Sequence, residues 1–591
     1  MAVFRCAQRP QRLTWHREDH KIEVLPMMRY LPILLLLLLL MVQVARADEE
    51  PLINLALNKP YQVLVPWPDA LSEVYEKSYE DTGGIELTDG KKATTQYLDP
   101  AWRSFYRQGG RTIILDLGDV HTVNRITGDF LQHRDAGIYV PHYIDYYLSA
   151  DGENYAYMGT VETSVGPWHR RVQKEEFTLD GLNHQARYVK LQFPTDVNVF
   201  MDELEVFGKE GIVPGSAVLE VFHEISEEEM WRKSAIFGPD VLPERGYIPK
   251  GSPNAGGAEH IVIAVYASPL TGDATWISAD FIPYVAYISE DAIPQDWFFD
   301  TILLSPQGET PNKKKLYATE ASHAATIEDW IWYLEETFKP DRQLSALNKA
   351  VDFCGNILQD KDHKVKVILS LVNPSPLQNN FGALEPGGKN LSFNHDRVGA
   401  EEAMENRLTA VEWLMDKLIE GFENGDTQYL ELIGFYWHPE AIAYHQSPYE
   451  GEFVKKVSEL VHSRGLKFFW IPFYGAPGSY DWHNFGFDAV MLQPSYMFSD
   501  SEEDRVRNAA HLASYLGMGV EMEKHWNDTL VERNKWRDYL NGGVKYGYIN
   551  AVVGYYQNYK DFARAALSFD RRTLYYDYVY QFVKGTYKIP E

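Results

Sequence analysis

Two periodicities divide the chain. Between residues 54 and 208, short runs alternate apolar and polar positions: Thr112–Leu117, Ile144–Ser149, Tyr188–Phe193 and Leu204–Phe207. Side chains of a strand project to opposite faces in turn, so this alternation predicts half-buried strands. Asp89-Gly90 and Asp151-Gly152 supply turns between runs, and the stretch reads as an all-β sandwich. A transition of weak pattern, 209–258, closes in a Gly/Pro cluster from Pro249 to Gly257.

From residue 259 to 591 the rhythm changes to strands alternating with helices. Continuous apolar runs occur at Ile261–Tyr266, Thr301–Leu304, Val365–Val372, Leu432–Trp437, Phe468–Tyr474, Ala489–Gln493, Gly519–Glu523 and Ile549–Tyr556. Amphipathic helices are predicted at Ile327–Phe338, Leu344–Leu358, Glu401–Phe422, Phe453–Arg464, Glu502–Leu516 and Leu530–Leu540. Eight such strands predict a (β/α)8 TIM-type barrel, with Phe281–Ile288 as an alternative first strand to Ile261–Tyr266. The fold class is therefore multidomain, an all-β sandwich followed by an α/β barrel.

In such a barrel, chemistry is done at the C-terminal ends of the strands. The fourth run ends in His438-Pro439-Glu440, which puts a carboxylate just past strand four among aromatic and imidazole neighbours. The seventh run carries Glu521 and Glu523, which point the same way because strand side chains alternate, and inward if Val520 and Met522 face the helices. Two carboxylates meeting across an aromatic mouth are what hydrolysis of a glycosidic bond requires. Tyr436, Trp437 and Pro439 form an apolar shell that would keep Glu440 protonated as the acid. Alternation does not choose between Glu521 and Glu523 for the ionised partner. Further strand-end substrate contacts are Asn373, His438, Tyr474, Gln493, Tyr496, His525 and Tyr556, with Trp437, Trp470 and Trp526 as stacking platforms. Catalysis needs no cofactor on this reading.

Composition narrows the partners. Aromatics make up 14% of the chain, with 38 Tyr and 15 Trp, as suits a protein that stacks on sugars. The formal charge of −28 excludes a phosphate-tracking surface, so nucleic acid is not a partner. Arg29, the apolar stretch Leu31–Val44 and Ala45-Arg46-Ala47 have the layout of a secretory signal peptide cleaved after Ala47. Roughly 14 apolar residues fall short of the about 20 that span a membrane, so no stable membrane insertion follows cleavage. An uncleaved anchor is the alternative. Met27 or Met28 would place the start near Arg29, leaving residues 1–26 as a mis-assigned extension. The expected location is outside the cell or in the periplasm. Cys6 lies in this leader, leaving Cys354 as the sole thiol, on an amphipathic helix pattern that reads as core.

The sandwich residues carry a family resemblance. Asn54–Pro60, Leu87-Thr-Asp-Gly90, Leu115-Asp-Leu-Gly118, Leu148–Gly152, Ala186–Lys190 and Asp202–Gly208 resemble the discoidin or coagulation-factor C-type jelly roll, a fold that also serves as a carbohydrate-binding module. The resemblance implies a structural calcium held near Asp89 and Glu203. Trp102, Tyr106 and Tyr139 lie in loop-like stretches, either as sugar contacts or as packed aromatics. In the second half, Phe281–Tyr287, Phe299–Leu304, Ile433–Trp437, Phe469–Tyr474, Gly486-Phe-Asp488, Gln493–Tyr496 and Gly519–Glu523 resemble an uncharacterised bacterial domain of unknown function regarded as glycoside-hydrolase-like. The places of Glu440 and of Glu521 or Glu523 are similar to those of the acid/base and nucleophile in retaining barrel glycosidases, although His-Pro-Glu stands where Asn-Glu is usual. The expectation is a secreted glycoside hydrolase with a sugar-binding accessory module. A non-catalytic glycan-binding protein is the rival.

Overall fold

The long central strand of the sandwich explains its architecture. β1 (Ile53–Asn54), β2 (Tyr61–Leu64), β3 (Arg103–Tyr106), β4 (Gly109–Gln132), β5 (Tyr143–Ser149), β6 (Ala156–Glu162), β7 (Gln173–Leu179), β8 (His184–Thr195) and β9 (Asn198–Lys209) form one antiparallel network. The 24-residue β4 pairs with β2, β7, β8 and β9, and its register breaks between Asp116 and His121, where Gly118 takes a φ of +94°. Such a break bends a strand, so one strand can serve two layers. Its inward residues pack Phe130 edge-on against Phe177 and Phe193. This computed structural model describes residues 51–590 except 65–78, 80, 82, 107–108, 134–135, 166–170, 196–197, 223–245, 267–274, 318–319, 444–445, 448 and 499–503. The leader and cleavage site read above lie outside the described residues.

The second half is a closed parallel barrel of eight strands. They are β10 (His260–Tyr266), β13 (Thr301–Pro306), β14 (Val365–Leu371), β15 (Leu430–Trp437), β16 (Lys467–Trp470), β17 (Ala489–Leu492), β18 (Gly519–Glu523) and β19 (Val553–Tyr556), with β19 closing onto β10. Neighbouring positions along the strands go to opposite sides. Ile261, Ile263, Leu303, Phe469, Ile471 and Met491 fill the lumen, whereas Val262, Ala264, Leu304, Val490, Val520 and Met522 pack under the helices. Glu521 and Glu523 therefore face the lumen.

The first strand is His260–Tyr266, not Phe281–Ile288. Phe281, Tyr284 and Val285 are spaced to bury one helical face, and Ser278–Val285 is a helix. Only Ala286–Ile288 (β11) is extended, in a separate hairpin with Pro294–Trp297 (β12). The fifth strand stops at Trp470, two residues before Pro472, and the eighth begins at Val553 after a 3-10 turn at Tyr548–Asn550. Cys354 is fully buried in the helix Gln343–Leu358, where burial pushes its thiol up to about 12.

Candidate active site

The His-Pro-Glu turn is aimed by a break in the strand before it. Opposite consecutive residues Val367 and Ile368 of β14 stand Leu432 and Gly434 of β15, so Ile433 is an extra residue. Gly434 permits the close approach, since a Cβ there would lie 2.2 Å from the Lys467 carbonyl oxygen. After this bulge Tyr436 faces the lumen and Trp437 faces out. Trp470 Nε1 then donates to the Pro439 carbonyl at 2.7 Å, pinning the turn. Glu440 lines a cavity of about 820 Å³ over the barrel mouth, a size within the range of ligand sites. Its side chain reaches cavity solvent, yet the surrounding walls withdraw most of the water and raise its carboxyl pKa; a hydrogen bond with Gln493 opposes the rise.

Glu521 and Glu523 line the same cavity from β18. Their environments differ. Burial, then the neighbouring Glu523 and Glu440 charges, hold Glu521 well above the carboxylate range. Burial also raises Glu523, to about 7, but three donors oppose it: the Tyr539 hydroxyl at 2.5 Å and the backbone N–H groups of Ser495 and Tyr496. Ser495 has a φ of +54°, a conformation that non-glycine residues seldom adopt and that is worth explaining at a site. Here it accompanies two adjacent N–H groups turned onto one carboxylate. The turn is clamped by Gln493 Nε2 on the Ile471 carbonyl at 3.0 Å and by Lys535 Nζ on the Tyr496 carbonyl at 2.9 Å.

The remaining expected contacts divide into two sets. Asn373, His438, Gln493 and Tyr556 line the cavity. Asn373 Oδ1 and His438 Nδ1 are buried without a protein partner, acceptors that a hydroxyl-rich ligand would satisfy. Burial lowers the His438 pKa to about 4, so the ring is neutral; its other nitrogen donates to the Pro306 carbonyl. Trp437, Trp470, Tyr474 and Tyr496 do not reach the cavity. Trp437 packs on Phe453 and Phe468 at 6.0 and 6.2 Å, because strand alternation turns it outward. Trp470 stacks on Phe487, Tyr474 lies under the Arg505 guanidinium, and Tyr496 donates to Asp538. His525 and Trp526 pack with tilted rings 4.0 Å apart, outside the cavity, and Phe498 joins His525 to the cavity wall. Ser305, Gln307, Tyr317, Ser495 and Phe498 also line the cavity and escaped the sequence reading. Ser305 and Gln307 flank the end of the second strand, a signal available there; Tyr317 and Phe498 sit in loops and gave none.

In the sandwich, Trp102 and Tyr106 are buried. Asp89 and Glu203 are in side-chain contact. Glu203 Oε1 accepts from the Gly90 and Lys91 N–H groups at 2.6 and 3.0 Å, while its Oε2 is buried with no partner. Burial, with Asp89 alongside, raises Glu203 to about 8. An orphaned carboxylate oxygen beside a second carboxylate suits a hard, oxygen-seeking cation. Asp202 and Asp129 are engaged by the Lys174 ammonium. Among the described residues no cluster of three or more His, Cys, Asp or Glu is arranged around a metal position, so a cation at Asp89 and Glu203 would need backbone oxygens as well.

Comparisons with known proteins follow this division. A family model described as "Domain of unknown function (DUF4855)" matches residues 262–581, and the F5/8 type C domain model matches 71–203. No curated protein matches the chain. Among solved structures, chitosan-binding module 1 of a chitosanase/glucanase from Paenibacillus sp. IK-5 is 20% identical, covers 26% of this chain and 99% of its own, and has a TM-score of 0.19. A fucose binding module of Streptococcus pneumoniae is 17% identical over 28% of this chain and 100% of its own, with a TM-score of 0.20. No helix among the described residues is long and apolar enough to cross a membrane.

Proposed function

The chain belongs to the DUF4855 family, whose activity is unknown, and we propose that its barrel hydrolyses glycosidic bonds. The observation that supports this most is the gathering of Glu440, Glu521 and Glu523 around one cavity at the strand ends, with their pKa values raised by burial. Environments that hold neighbouring carboxyls in different protonation states assign acid and base.

Glu440, raised and facing the cavity, is the acid: its proton goes to the glycosidic oxygen as the C–O bond breaks, and the alcohol leaves. Glu523 is the ionised partner, because three donors favour its anion. It attacks the anomeric carbon itself or takes a proton from the water that does. Glu521, with its anion opposed by two neighbours, stays protonated and donates a hydrogen bond to a sugar hydroxyl. His438 and Asn373 accept from other hydroxyls. The sandwich binds glycan at the cell exterior, as its F5/8 type C match and the apolar leader both suggest. A calcium held at Asp89 and Glu203 would stiffen that module and neutralise the carboxylates facing each other there.

The test is to incubate wild type and Glu440→Gln with a polysaccharide panel and follow release of reducing ends. Turnover by wild type and its collapse in the variant, with binding retained, supports the reading. Binding without turnover in wild type would leave a glycan-binding protein instead.

A further inference from the structure

The barrel's cavity is not built from the barrel alone: Gly137 and Tyr139 of the sandwich line it together with Glu440 and Glu523. The segment carrying them is fixed at its root. His133 and Ile138 pair by backbone hydrogen bonds of 2.9 and 3.2 Å, and Gly137, just before Ile138, has a positive φ of +70°. Beyond it the Tyr139 N–H donates to the Asn198 carbonyl at 2.9 Å, and the Val140 N–H to Gln132 Oε1 at 3.0 Å. Ile138 packs into the cluster of Trp102, Leu131 and Phe200, and Val140 into the main sandwich core. Alternation between two buried neighbours leaves Tyr139 pointing away from the sandwich core, and its half-buried ring meets the cavity.

We propose that Tyr139 is a specificity-determining residue of the barrel site. On the hydrolase reading, from which this follows, a pyranose ring of an oligosaccharide next to the bond being cut rests against the Tyr139 ring. A phenol ring with an apolar face and a polar tip suits a sugar, which has apolar C–H faces and hydroxyl edges. Because the ring hangs on backbone held by the sandwich core, the module does more than tether the enzyme to polymer: it completes the cavity. Short substrates that do not reach Tyr139 gain nothing from it.

The test uses full-length wild type, Tyr139→Ala and Tyr139→Phe with cello-, chito-, xylo- and manno-oligosaccharides of two to six residues. Tyr139→Ala should raise KM for the longer cleaved oligosaccharides about five- to tenfold, with kcat and the shortest substrates nearly unchanged. Tyr139→Phe, which keeps the ring, should restore most of the loss. Equal kinetics of wild type and Tyr139→Ala on every cleaved substrate would overturn the proposal and leave the hydrolase reading standing. So would a lowered melting temperature with unchanged KM, which would mark a packing seam only. If wild type cleaves nothing, the hydrolase reading fails, and calorimetric binding of the same oligosaccharides decides. Weaker binding by Tyr139→Ala then supports the shared wall; equal binding, or none to either protein, overturns it.

Discussion

At the level of single residues, a sequence shows which side chains stand at strand ends but not what solvates them. Glu440, Glu521 and Glu523 were legible because each follows or occupies a short apolar run. Choosing between Glu521 and Glu523 was not possible, since the deciding donors come from Tyr539, on a helix, and from the Ser495 turn, which only folding brings near. Two predictions belong here. Glu440→Gln should cut turnover of natural glycans by about 10²–10⁴, the usual worth of a positioned acid, and much less for aryl glycosides with activated leaving groups. Tyr539→Phe removes a donor that favours the Glu523 anion. Its pKa should rise above about 7, and, with ionised Glu523 as the proposed active form, the acid limb of kcat/KM against pH should move to higher pH. A limb that stays in place in Tyr539→Phe would assign it to another group.

Whole elements were more legible than the orientation of their side chains. Apolar runs located all eight barrel strands, because a strand buried on both faces leaves an unbroken hydrophobic signature. What a run does not announce is its parity. Trp437 and Trp470 look like platforms in sequence, and both face the helices. The bulge at Ile433 changes the alternation inside a single run, without any polar residue to mark it. Glycine misled in the opposite direction. The helix predicted to end at Leu540 continues to Tyr546, because Gly542 and Gly543 permit close packing; a Cβ on Gly543 would lie 2.3 Å from the Phe582 ring. The bulge itself is testable. In Gly434→Ala the added methyl would press on the Lys467 carbonyl and the Phe469 ring, so stability should fall by about 1–3 kcal/mol, the range for overpacking. Because the strain sits two residues before Tyr436 and six before Glu440, turnover measured well below the melting temperature should fall as well. An unchanged melting temperature would show that the bulge tolerates a side chain.

On the scale of the molecule, residues 53–591 behave as one compact unit, with a sandwich loop entering the wall of the barrel cavity. The sequence separated the two modules by their periodicities, but periodicity is a local property and carried no sign of that shared wall. The acidic pair in the sandwich ties stability to pH and, if it holds the proposed cation, to calcium. Glu203 has an ordinary value of 4.5 and is raised to about 8 in the fold, facing Asp89 with Lys91 and Glu205 nearby. A folded-state pKa above the unfolded one means that the native protein binds the extra proton. Its stabilisation is therefore complete below about 4.5 and is lost as pH rises through 8. In chelator, the melting temperature should fall between pH 5 and 8. Asp202, raised to about 6 in the sandwich, and Glu523, raised to about 7 in the barrel, contribute with the same sign, so the part due to Glu203 is the difference from Glu203→Gln. Calcium needs Glu203 ionised, and it should raise the melting temperature most near pH 8 and fade toward pH 5 as protons compete. Glu203→Gln should abolish the calcium response and make the pH slope shallower, leaving the part due to the other raised carboxyls. A calcium response that survives in Glu203→Gln would place the cation elsewhere, and no response in wild type would leave the proton as the only ligand of this carboxylate pair.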